Sequence, residues 1–103
     1  MKVINVNENN FNEEVLNSKT KVLADFNAEW CGPCRMLGPI LDNYAEEHDN
    51  IKIVSINVDD NNDLARKYNV FSIPCLVVIK DGKEINRSVG LISKTEIDEL
   101  IGD

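Results

Sequence analysis

The run DFNAEWCGPCRMLGPIL, residues 25–41, holds Cys31 and Cys34 with only Gly32 and Pro33 between them, at a point where the hydrophobic pattern changes period. Upstream, Lys21 to Ala28 is apolar except for Asp25 and reads as a central strand. Downstream, Leu37, Ile40, Leu41, Tyr44 and Ala45 recur at helical spacing and form one stripe. Pro39 falls inside that stripe, where it offers no N–H to the Arg35 carbonyl and predicts a kink. The strand therefore runs into the helix at the cysteine pair. Cys31 is expected at the helix N-terminus, with Cys34 one turn along.

Two cysteines so placed can be a staple, part of a metal site, or a reactive dithiol. As a staple they do little, because closing so short a loop removes only roughly 2 kcal/mol of unfolded-chain entropy. A mononuclear metal site needs about four ligands. The available extras are Cys75 and the one histidine, His48. His48 lies fourteen residues beyond Cys34, which at ~1.5 Å per residue is ~21 Å away along the helix. A cluster shared between two chains through Cys31 and Cys34 stays open. The reactive reading fits best. Unpaired N–H groups and the dipole at a helix N-terminus favour a thiolate at Cys31. One turn brings Cys34 within disulfide reach, and Pro33 is tolerated in a first turn. Cys31 is expected to be the more exposed thiol and the nucleophile. Cys34 is expected to face inward and resolve the mixed disulfide.

Working outward, Val3 to Val6 reads as a short strand. Asn10, with Glu13 three residues on, predicts a helix start whose buried face holds Phe11, Val15 and Leu16. Ile51 to Asp59 is β-branched and reads as a buried strand, after which Asn61-Asn62-Asp63 is expected to cap a short helix through Leu64, Ala65 and Tyr68. Asp81-Gly82 joins two further strands as a hairpin. Ser93 and Glu96 form a capping box for a last helix that buries Ile97, Leu100 and Ile101. The order β-α-β-α-β-α-β-β-α predicts one mixed sheet between helices, parallel in its first half and antiparallel at the hairpin.

A chain of 103 residues is sized for one domain, residues 1–103. Its formal net charge is −7, which argues against nucleic acid or an anionic membrane as main partner. The longest apolar run, Cys75 to Ile79, is far short of a membrane span. The N-terminal residues lack the apolar core of a signal peptide, so a cytoplasmic location is expected. Three cysteines are too few, and odd in number, for a secreted disulfide scaffold.

The segment around the dithiol closely resembles that of the thioredoxin family, including the proline in the following helix. The resemblance continues through NVDDN (57–61), SIPCLVVIKDGK (72–83) and VGLISK (89–94), in order over essentially the whole chain. It implies the thioredoxin fold, with a central mixed five-stranded sheet flanked by four helices. It also implies a monomeric protein-disulfide reductase with a Cys31–Cys34 redox disulfide and no metal or cofactor. By position Asp25 is similar to the family's buried aspartate, which sits behind the second cysteine and acts through water as general acid/base. Burial should raise its pKa toward neutrality. Ile73-Pro74 resembles the family's cis-proline, beside which Ile73 would pair with an extended substrate. Trp30, Gly32, Pro33, Ile73, Pro74, Gly90 and Leu91 would form a flat apolar rim around Cys31. The implied partners are a thioredoxin reductase and disulfide-bearing targets such as ribonucleotide reductase, peroxiredoxins and methionine sulfoxide reductase.

Three residues depart from the pattern. Asn27 stands where the family has an aromatic or small residue, Ser55 where many bacterial members have lysine, and Cys75 where threonine is usual. A thioredoxin-like binding module, valued for its rim alone, would need neither the dithiol nor Asp25. An oxidase or isomerase is the rival within redox chemistry. Gly-Pro between the cysteines supplies no imidazole to stabilise a thiolate, which favours a reducing role.

Overall fold

The computed structural model describes residues 1–102. Five strands, β1 (Ile4–Asn5), β2 (Lys21–Asn27), β3 (Ile51–Asn57), β4 (Cys75–Lys80) and β5 (Lys83–Val89), form one sheet in the order β1-β3-β2-β4-β5. β3 runs parallel to both β1 and β2, whereas β4 runs antiparallel to β2 and β5. The helices are α1 (Gly32–Glu47), α2 (Asn62–Lys67) and α3 (Lys94–Ile101), with a short helical segment at Asn12–Leu16. The element order is the one the sequence predicts. A mixed five-stranded sheet with four helical segments is the thioredoxin arrangement expected from the resemblance.

Strand alternation divides the interior into two apolar layers. Val22, Ala24 and Phe26 of β2 join Phe11, Val15, Val54, Ile56, Tyr68, Cys75 and Val77 on one face. Leu23 joins Leu37, Leu41, Tyr44, Ile53, Leu76, Val78 and Ile97 on the other, under α1 and α3. Asp25 follows Leu23 by two residues and so shares the α1 face. The apolar face of α1 that buries Leu37, Leu41, Tyr44 and Ala45 is the stripe read from the sequence. Leu37 and Leu41 each contribute about 1.5–3 kcal/mol on burial.

Several local expectations need correction. Pro39 lies on the exposed side of α1 rather than within the buried stripe, inside the element that spans Gly32 to Glu47. On that side water can reach the Arg35 carbonyl that the missing N–H leaves unpaired. The first helical segment is π-wound, with the Asn17 N–H donating to the Asn12 carbonyl five residues back at 2.9 Å. Asn10 does not cap it. Its side chain turns back to accept from the Asn7 N–H at 2.7 Å and to donate to the Asn5 carbonyl. Asn61 holds the N-cap position of α2, but its amide accepts from the Glu8 N–H and donates to the Asn57 carbonyl. It pins the segment after β1 to the turn after β3.

The hairpin and the last helix form as expected. Asp81 and Gly82 both have positive φ, 52° and 80°, the conformation a two-residue type I′ turn requires. Ser93 accepts from the Glu96 N–H at 3.2 Å, and the Glu96 carboxylate accepts from the Ser93 N–H at 3.1 Å. Ser93→Ala should therefore lower stability by about 1 kcal/mol through lost capping. A urea melt should show an earlier midpoint with an unchanged slope.

Candidate active site

The end of β2 and the start of α1 build the centre of the site. Cys31 is the N-cap of α1, in extended conformation, and its sulfur accepts from the Cys34 N–H at 3.2 Å. The two cysteines are joined as a disulfide with their Cα atoms 5.2 Å apart. Gly32 and Pro33 occupy the first turn, exposed, where the proline's missing N–H costs nothing. The first-turn Cys34 N–H meets the Cys31 sulfur, so this end of α1 favours a thiolate there once the disulfide opens.

Exposure does not separate the two thiols as expected. Both residues are 5% exposed, because Ala28, Val58 and Ile73 pack against the pair. Position separates them instead. Cys31 holds the cap and approaches the Ile73 carbonyl at 3.9 Å. Cys34 lies one turn in and lines a cavity of about 250 Å³ together with Asp25, Asn27 and Ser55.

Asp25 is 5% exposed, and its Oδ1 has no hydrogen-bond partner. Burial pushes its pKa from 3.8 up to about 7, opposed in part by the Asn27 amide, which donates to Oδ2 at 3.3 Å. Among the described residues, no lysine or arginine forms an ion pair with it. Asn27 takes a polar role, since its amide also donates to the Ser55 hydroxyl at 2.8 Å.

The rim is only partly as expected. The Ile73–Pro74 bond is cis. Trp30 is 69% exposed, with its indole N–H donating to Asp59 at 2.9 Å, and Leu91 is also exposed. Pro74 is buried, with β4 beginning directly after it. Gly90 has φ 102° and donates its N–H to the Pro74 carbonyl at 2.8 Å. That backbone conformation by itself requires glycine. Phe71, which the sequence reading did not single out, is 88% exposed two residues before Ile73. Its only signal was an aromatic in a stretch with neither strand nor helix period.

Cys75 sits on the opposite face of the sheet from Asp25, among Phe26, Tyr68 and Val77, and is 1% exposed. Burial pushes its thiol pKa up, against the nearby Arg87 guanidinium, 4.0 Å from the sulfur. It lacks both the access and the thiolate character that exchange needs. Cys75 should therefore stay reduced when mild oxidant closes the Cys31–Cys34 pair, and Cys75→Ser should keep most of the activity. Mass spectrometry of the oxidised protein after alkylation in denaturant checks this; a Cys31–Cys75 linkage would refute it.

Comparison with known proteins agrees with this geometry. The family model named Thioredoxin matches residues 2–103. The thioredoxin of Bacillus subtilis strain 168 is 44% identical over 102 residues, spanning 98% of this chain and 96% of that protein. The thioredoxin of Porphyra purpurea is 41% identical over 102 residues, 98% of this chain and 95% of its own length. That of Chlamydia pneumoniae is 54% identical over 80 residues, 78% of each chain.

Proposed function

The chain belongs to the thioredoxin family of thiol–disulfide oxidoreductases, and on that premise we propose that residues 1–103 act as one domain that reduces disulfides in other proteins. The observation that carries this reading is Cys31 at the N-cap of α1, with Cys34 bonded to it and Asp25 buried beside the same cavity. The Cys31 thiolate attacks one sulfur of a target disulfide, and the other target sulfur leaves as a thiolate. Cys34 then gives up its proton and attacks the Cys31 sulfur. The mixed disulfide breaks, the second target thiolate departs, and the Cys31–Cys34 disulfide forms.

Asp25 is the group suited to take the Cys34 proton. A carboxyl with a pKa of about 7 is half ionised at neutral pH, so it can accept a proton in one half-cycle and return it in the other. Trp30, Gly32, Pro33, Ile73, Gly90 and Leu91 offer the surface on which an extended target segment settles.

The family implies a thioredoxin reductase as the electron donor and disulfide-bearing proteins as targets. Ribonucleotide reductase, peroxiredoxins and methionine sulfoxide reductase are the proposed targets, and the cytoplasm is the proposed location. Among the described residues, no helix is long and apolar enough to cross a membrane.

Reduction of insulin disulfides by dithiothreitol tests the reading. The protein should accelerate precipitation of the freed chains at catalytic concentration. A protein that binds disulfide substrates without accelerating their reduction is a binding module, and the proposal fails.

A further inference from the structure

We propose that Asn27 is a positioning residue for Asp25, fixing which carboxyl oxygen carries the proton during disulfide exchange. This inference rests on the assignment of Asp25 as the acid/base group. The Asn27 amide nitrogen lies 3.3 Å from Asp25 Oδ2, 3.0 Å from the Asp25 carbonyl and 2.8 Å from Ser55 Oγ. Carboxylate, carbonyl and hydroxyl oxygens all accept, so the nitrogen rather than the oxygen of the amide must face them, its two hydrogens shared among three acceptors. The pairing follows from the sheet. Asp25 and Ser55 are register partners on β2 and β3, and Asn27 lies two residues beyond Asp25 on the same face.

An oxygen that receives an N–H bond is a poor place for a proton. With Oδ2 engaged, the neutral carboxyl keeps its C=O character there and carries its hydrogen on Oδ1, the oxygen without a partner. Oδ1 is thus the atom that takes the proton from the Cys34 thiol as that sulfur attacks, and that gives it back when Cys34 is reduced. The amide also favours the ionised form, since it donates to a charged acceptor.

Other described residues surround Asp25 without hydrogen-bonding to its carboxyl. Cys34, Arg35 and Glu29 line the cavity on one side, Asp42 of α1 lines that on the other, and Cys75 lies across the sheet. Asn27 is the side chain whose hydrogen bond to the carboxyl opposes the effect of burial.

The test titrates the Asp25 carboxyl by its 13C shift in the oxidised protein, in wild type, Asn27→Ala and Asn27→Leu, with Asp25→Asn used to assign the resonance. Urea melts accompany it, and the pH dependence of insulin reduction is followed in the same set. Neither replacement donates a hydrogen bond, but they differ in volume. Both should move the inflection upward, by roughly half to one pH unit for one lost hydrogen bond to the ionised form. The rate profile should follow. A structural role alone would track side-chain volume and stability and leave the inflection where it was. A wild-type inflection near 7 that both variants keep, or that they move in opposite directions, overturns the role given to Asn27. A wild-type carboxyl that titrates near 3.8 overturns the reading of Asp25 itself.

Discussion

Cys31→Ser should abolish disulfide reduction, whereas Cys34→Ser should give a protein that reacts once and stays attached to its target. The asymmetry follows from position on α1, since exposure is the same for both cysteines. The Cys31 sulfur occupies the N-cap, where it accepts from the Cys34 N–H and is stabilised as an anion by the helix end. A serine there has no accessible anionic form and cannot displace a thiolate. Cys34 has a later task, which is to attack Cys31 once the mixed disulfide exists. Without it the covalent complex persists until an outside thiol resolves it. Non-reducing gels of each variant mixed with an oxidised target read this directly. Capture by Cys31→Ser and none by Cys34→Ser would reverse the two roles.

Asp25→Asn should have two opposite effects, slower reduction and a more stable fold. The rate effect follows from the thiol that Asp25 serves. Even a freely exposed cysteine is only a few per cent thiolate at pH 7, and Cys34 is buried. Without the base, the variant should lose on the order of 10-fold or more at neutral pH. The loss should shrink as pH rises, because hydroxide increasingly replaces the missing base.

Stability runs the other way. The folded protein holds the Asp25 proton up to about pH 7, while the ordinary carboxyl loses it near 3.8. Between those values the folded state binds more protons than the unfolded one, so wild-type stability falls as pH rises and levels off above about 7. Asparagine carries no such penalty. Its advantage should be absent below about pH 4, grow through the interval and plateau above it. The interval of about 3 pH units sets an upper scale on the order of 4 kcal/mol. Urea melts of the two oxidised proteins at several pH values measure it. An advantage independent of pH would mean that Asp25 is solvated or paired.

What could be read from the sequence was whatever local chemistry decides. Asp81-Gly82 makes its turn and Ser93 with Glu96 makes its capping box whatever lies elsewhere in the chain. The stripe of α1 likewise placed Leu37 and Leu41 on the buried face of that helix. The errors fell on side chains with a choice of partners. Asn10 and Asn61 both look like helix caps, but each amide found better-placed backbone groups, for Asn61 as far away as Glu8. Pro39 breaks the hydrogen-bond pattern of α1 on its wet side, where the defect is cheap. The dithiol showed its pairing but not its exposure, which depends on Ala28, Val58 and Ile73 converging from three segments. Asn27 and Ser55 were visible as departures, yet nothing in their spacing said that they share a hydrogen bond across two strands.

The reduction potential of the Cys31–Cys34 couple tests the central claim most directly. Equilibration against a dithiothreitol redox buffer, read by alkylation and mass spectrometry, gives it from the fraction of protein in each form. The couple should lie at the reducing end, about −270 mV, because Gly32-Pro33 gives the Cys31 thiolate no imidazole to stabilise it. A potential near about −120 mV, in the range of the strong disulfide oxidants, would contradict it.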